Sequence, residues 1–143
     1  MEAFVVSKAI ENLQAALQRA MTSRPNVGGF PYLAETLRRA GVHFNHWSLP
    51  ACQSLYLTQE GPVVNQGTPL FSGTSDVPKF RQDLLIAALR TDQAGKSSFP
   101  EFLQACWHAG VVRYVVDFRE RTCTYYGCED EKYLEEYPEV AID

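Results

Sequence analysis

The sequence partly repeats itself, and that repetition restricts the fold more than any motif does. Displacing the 143-residue chain by 69 positions lays Phe30-Pro31 on Phe99-Pro100, Leu33 on Phe102, Ala40-Gly41-Val42 on Ala109-Gly110-Val111, and Tyr56 on Tyr125. Only six of the 29 positions 30–58 are identical to their counterparts, but they fall where backbone physics is exacting. Proline is tolerated in the first turn of a helix, where its missing N–H has no partner to lose. Glycine ends a helix because it can take the left-handed cap conformation. Matches at such positions predict a duplicated helix–helix–β-hairpin unit. The fold class is therefore α+β, with a small antiparallel sheet packed against helices. A lone hairpin is marginal in water, so the two must pair edge to edge or pack face to face and share one core.

Periodicity supplies the elements. Ile10, Leu13, Leu17 and Ala20 share one face of a helix expected over Val6–Met21. Phe30-Pro31 opens a second helix, which Gly41 stops. Val42–Leu49 and Gln53–Thr58 read as a hairpin about Pro50-Ala51. Val63–Phe71, interrupted by Gly67 and Pro69, is an edge strand or an irregular crossing segment. A third helix is expected from Pro78 with Asp76 as its cap, and a fourth from the capping box Ser98-Phe99-Pro100-Glu101 to Gly110. Val111–Phe118 and Thr122–Tyr126 form the second hairpin, and an acidic helix is expected over Glu131–Tyr137. As one domain over 1–143, this gives a first repeat at 6–58, a linking strand at 59–75, a second repeat at 76–127 and an acidic end at 128–143.

The net charge of −4 is unevenly spread. Residues 129–143 hold seven acids against Lys132 alone, a charge of −6, which leaves +2 on residues 1–128. Nucleic-acid binding would need a concentrated basic face, which is lacking. No apolar run approaches the ~18 residues of a membrane helix, and the start Met1-Glu2-Ala3-Phe4 has an acid where a signal peptide has bases. A cytoplasmic protein with Cys52, Cys106, Cys123 and Cys128 as free thiols is expected.

Several apparent motifs fail on chemistry. Asp92-Gln-Ala-Gly-Lys-Ser-Ser-Phe-Pro-Glu resembles the end of a calcium loop, but Arg90 stands where the first carboxylate belongs and Ala94 offers no ligand. Gly95-Lys96-Ser97 lacks the earlier glycine and the preceding strand of a phosphate loop. His43 and His46 are three apart on a strand and point to opposite faces, so they do not converge on a metal. Cys128 beside an acidic run is in the wrong field for a thiolate nucleophile. No cofactor or metal is expected.

The segments Val27-Gly28-Gly29-Phe30-Pro31-Tyr32-Leu33-Ala34-Glu35, Leu49-Pro50-Ala51-Cys52-Gln53-Ser54-Leu55-Tyr56, Asp92-Gln93-Ala94-Gly95-Lys96 and Ala109-Gly110-Val111-Val112-Arg113-Tyr114-Val115-Val116-Asp117 resemble the YbcV/YdfO family of bacterial and prophage-encoded proteins. The resemblance spans nearly the whole chain and implies a YdfO-like α+β domain. It brings no activity and no catalytic residue.

The expected role is a non-enzymatic binding module with an unknown protein or small-molecule partner. It is also expected to form a homodimer, since hairpin edges invite pairing. Its surface would be a groove between the repeats near Arg24, Gly28, Gly29, His43, His46, Trp47, Cys52, Asp92, Lys96 and Asp117. The competing readings are a small enzyme using His46, Cys52 or Asp117 in that groove, and an adaptor acting through the acidic end.

Overall fold

The computed structural model describes residues 6–142, so the Met1–Phe4 stretch read against a signal peptide lies outside it. Ten elements follow in order: α1 (Lys8–Ser23), α2 (Phe30–Arg39), β1 (Val42–Ser48), β2 (Gln53–Thr58), β3 (Gly61–Gln66), α3 (Gln82–Gln93), α4 (Phe99–His108), β4 (Val111–Asp117), β5 (Thr122–Gly127) and β6 (Lys132–Glu136). The six strands make one antiparallel sheet in the order β3-β2-β1-β4-β5-β6, so the hairpins meet edge to edge through β1 and β4. The fold is α+β, as expected.

Each helix starts and stops for a local reason. Ser7 caps α1 by accepting from the Ile10 N–H, and Ala9, Leu13, Ala16 and Ala20 form its buried stripe. The capping box at Ser98 and Glu101 is present at the start of α4. Gly41 and Gly110 end α2 and α4 at φ +88° and +85°. The displacement of 69 residues relates the first residues of α2 and α4, of β1 and β4, and of β2 and β5. It also relates the non-glycine residues held at positive φ in the β1–β2 and β4–β5 turns, Cys52 at 48° and Arg121 at 56°.

Alternation sorts the strands onto two faces. Asn45, Ser54, Tyr56, Val63, Tyr114, Val116, Cys123 and Tyr125 are buried and face the helices. α1 packs on α2 and α3 on α4, while α2 touches β1 and α4 touches β4. Two polar members of this face pair with each other: the Ser54 hydroxyl donates to the Asn45 Oδ1 at 2.6 Å.

Four expectations are corrected. α1 runs two residues later at each end than expected. The acidic segment is strand β6, because Tyr133 and Glu135 pair with Tyr125 and Cys123 on the core face and Arg90 of α3 meets the Glu135 carboxylate. A free sheet edge and a cation above it outweigh the weak helical preference of a five-residue acidic run. Each unit therefore carries three strands, and β3, with Pro62 on it, is the other edge, where a missing N–H costs no ladder bond. Finally, α3 starts at Gln82 rather than Pro78, and Asp76 does not cap it. Residues 79–81 instead cross the α4–β4 turn: the Arg81 N–H donates to the Ala109 carbonyl at 2.7 Å.

That crossing explains Gly110. A Cβ there would lie 2.5 Å from the Phe80 backbone, whereas one on Gly28 would meet open space. In urea titrations, Gly110→Ala should therefore cost about 2–3 kcal/mol through strain plus displaced backbone, and Gly28→Ala only about 1 kcal/mol, through its φ of +63°.

Candidate functional site

The ten residues singled out from the sequence do not share one groove. They fall into three places, with His43 at a fourth position between them.

The first place is the junction of the two loops that precede the Phe-Pro helices. The Gly28 N–H donates to the Gln93 carbonyl at 3.1 Å, and Gly95 lies so close that a Cβ on it would stand 2.9 Å from the Asn26 oxygen. Gly29 precedes α2 with a Cβ position 2.3 Å from the Pro25 oxygen. Gly29 and Gly95 are needed for this close backbone approach. Asp92 is half-buried here and accepts from the Ser97 hydroxyl at 3.3 Å. Burial raises its pKa, opposed by the Ser97 hydrogen bond and the charge of Arg24. Lys96 is exposed, with its N–H on the Thr91 carbonyl.

The second place is the sheet face away from the helices. His46 lies at its centre, opposite Leu55 on one side and Val115 on the other. Asp117 is on the same face, and its Oδ1 accepts from the Arg119 and Glu120 N–H groups at 3.1 Å, which makes it a turn-forming residue. His43 sits at the irregular register step in β1, and its carbonyl accepts from the Phe118 N–H.

The face is unusual in composition. Antiparallel sheets with one solvated side normally place polar residues there. Here the middle row reads Val64, Leu55, His46, Val115, Thr124, Leu134 across the six strands, flanked by Phe44 and Leu57. Val64 and Leu134 are 55% and 54% exposed. On one side of this row lie Arg113 and Lys132, on the other Asp117 and Glu136.

The third place is a groove of about 420 Å³ where the first hairpin turn meets α4. Trp47 and Cys52 line it, facing Phe99 and Leu103. The Trp47 and Phe99 rings meet edge-on at 5.3 Å. A strap closes one wall: the Gly67 N–H donates to the Cys52 carbonyl at 2.8 Å and the Leu70 N–H to the Pro50 carbonyl at 3.0 Å. Burial raises the Cys52 thiol, which suits packing rather than nucleophilic attack.

Sequence reasoning missed the strongest electrostatic cluster. Glu35 is buried on α2, and Arg38 and Arg39 bond its carboxylate at 2.7–3.0 Å. The Arg38 hydrogen bonds, helped by Arg39 and opposed by burial, hold its pKa near 2 rather than 4.5. The i, i+3, i+4 spacing of Glu35, Arg38 and Arg39 was the available signal. Arg39 also donates to the Ile142 carbonyl at 3.3 Å, so the acidic end is docked along α2. A second, larger cavity lies there, beside Arg19, Tyr32 and Arg39, but Glu35 and the Ile142 carbonyl already occupy the Arg39 guanidinium. Phe99, Leu103, Asn65 and Gln104 were likewise not recognised as groove residues, since locally Leu103 reads as core, Phe99 as a helix start and the two amides as ordinary surface residues.

Among the described residues, no group of three or more His, Cys, Asp or Glu could hold a metal, and no helix is long and apolar enough to cross a membrane.

A six-stranded antiparallel sheet with helices on one side and an apolar row on its open side defines a small α+β protein. The chain belongs to the family described as protein of unknown function (DUF1398), whose model matches residues 18–137. It is 58% identical over 135 residues to the uncharacterized protein Mb2035 of Mycobacterium bovis, a match that covers 94% of this chain and 82% of that one. The uncharacterized proteins MT2067 and Rv2012 of two Mycobacterium tuberculosis strains match to the same extent.

Two measurements test these environments. Glu35 ionises more readily folded than unfolded, so its contribution is fully present above pH 4.5 and is lost as pH falls toward 2. Asp92 has the opposite sign: its raised pKa costs stability once the pH passes the unfolded value. In thermal melts, Glu35→Gln should therefore lower the Tm at pH 7 and have little effect near pH 2. Asp92→Asn, which can still accept from Ser97, should raise the Tm at pH 7 and change nothing at pH 3. Separately, burial pushes the Cys106 and Cys123 thiols up to about 12 while Cys128 is exposed. A disulfide reagent at pH 8 should label Cys128 within minutes, and Cys106 and Cys123 only after unfolding.

Proposed function

We propose that the protein is a cytoplasmic, non-enzymatic interaction module that pairs with a second copy of itself through the open sheet face. The observation that carries this reading is the apolar row centred on His46 and Val115 on a side where water would favour polar groups. The charges favour a second copy over an unrelated partner. A two-fold axis lying along the row Val64 to Leu134 brings the row onto itself and sets Arg113 and Lys132 over the partner's Asp117 and Glu136. Such an isologous contact is self-complementary by construction.

Its size is adequate for a modest dimer. Six strands at ~4.8 Å spacing, five to seven residues long at ~3.4 Å each, project to roughly 600 Å². Side-chain relief brings this toward the ~800 Å² per partner of a stable complex. The docked position of residues 137–142 along α2 weighs against the adaptor reading, and the raised Cys52 thiol against the enzyme reading. The YbcV/YdfO resemblance, with its prophage association, belongs to the same proposal.

Sedimentation velocity between roughly 1 and 500 μM is the test, with a dissociation constant in the micromolar range expected for such an area. Val115→Lys should give a monomer with an unchanged melting curve. Lys132→Glu should weaken the dimer, and the swap Lys132→Glu with Glu136→Lys should restore it. A monomer throughout the range, or a dimer indifferent to Val115→Lys, would overturn the proposal.

A further inference from the structure

The two Phe-Pro helices begin with equivalent phenylalanines whose surroundings differ. Phe30 starts α2 and Phe99 starts α4, 69 residues apart. Phe30 is covered: the Tyr137 ring packs against it edge-on, with centroids 5.1 Å apart. Phe99 is 45% exposed, on the wall of the groove.

Backbone hydrogen bonds show which residue corresponds to Tyr137 in the first half. The Tyr137 N–H donates to the Arg121 carbonyl at 3.0 Å. The Gly67 N–H donates to the carbonyl of Cys52, the counterpart of Arg121 in sequence displacement and in positive φ. Gly67 thus holds the Tyr137 station in the first half, but it has no side chain to send toward Phe99. A Cβ there would stand 2.9 Å from the Cys52 oxygen. Trp47, which replaces the smaller Val116 of the other half, fills part of the space. The groove is the remainder.

We infer that this groove is a binding site for one small aromatic ring bearing a hydrogen-bonding group, a phenol-sized molecule that takes the place the Tyr137 side chain takes against Phe30. Trp47 and Phe99 supply ring edges and faces, Leu103 and Leu70 an apolar wall, and the amides of Asn65 and Gln104 donors and acceptors for the polar group. The volume lies in the range of sites that enclose small ligands. The strap that forms one wall is tied down by hydrogen bonds from Gly67 and Leu70 to the first hairpin turn. A ring entering it makes the same kind of edge-to-face contact with Phe99 that Trp47 makes.

The inference does not depend on dimerisation, because the groove lies on the helix side of the sheet. Its test uses the full chain carrying Val115→Lys, so that self-association does not enter. Titrating 4-methylphenol into the 15N-labelled protein should shift the Trp47 indole N–H and the amides of Phe99, Leu103 and Gly67, while the Trp107 indole stays in place. Cyclohexanol, similar in size but without a π system, should bind at least fivefold more weakly. Gln104→Phe, a change at an exposed helical position, should fill the groove and weaken 4-methylphenol at least tenfold with the melting curve kept. Phe99→Ala should weaken it similarly. Three results would each overturn the assignment: no shifts at millimolar ligand, equal affinity for cyclohexanol, or shifts centred on Phe44 and Leu55 of the open face.

Discussion

The antiparallel pairing of β1 with β4 is the contact on which the rest of the molecule depends. Five residue pairs, Phe44 with Asp117 through Ser48 with Arg113, join two three-stranded ribbons into one sheet. Without them each half would expose an inner edge as well as an outer one, and each helix pair would cover too little sheet to be stable. His46 faces Val115 in this register, and those two residues are themselves 69 apart. That pair lies at the centre of the sheet, and the strands follow in mirrored order on either side of it.

The two halves share an element order and differ in side chains, and the differences mark the surfaces of interest. Glu35 and Gln104 occupy equivalent helical positions. The first is buried under two arginines, while the second lines an open groove. Val116 is buried where Trp47 is half-exposed. After β6 the chain continues along α2, with Tyr137 on Phe30 and Arg39 on the Ile142 carbonyl. After β3 the chain turns away as a glycine-led strap. Phe30 is thus covered by Tyr137, while its counterpart Phe99 stays on the wall of an open groove.

Much of the fold was legible in the sequence because it rests on residues with narrow conformational choices. Gly41 and Gly110, the Phe-Pro pairs and the Ser98–Glu101 box placed α2, α4 and both hairpins to within a residue or two. Where local chemistry was ambiguous, distant contacts decided. Residues 132–136 have both the acidity of a surface helix and the alternation of a strand, and the vacant edge of β5 selected the strand. Residues 78–81 lost their helical turn to the Ala109 carbonyl, 28 residues away from Arg81 in sequence. The candidate site was less legible. Trp47 and Cys52 were singled out, but their neighbours in space come from β3, the strap and α4, and no spacing rule links those segments.

The sequence by itself determined the α+β class, the places of α2, α4 and both hairpins, the Ser98–Glu101 capping box and the positions of the glycine stops. Each of these is set by steric and hydrogen-bonding demands within a few residues along the chain. Only the tertiary structure decided that the hairpins join edge to edge, that the acidic end is a strand followed by a docked tail, and which face of the sheet the helices leave bare. Those outcomes depend on which apolar and hydrogen-bonding surfaces meet across dozens of residues. A local pattern permits several such meetings, and one is chosen only when all the surfaces compete for burial at once.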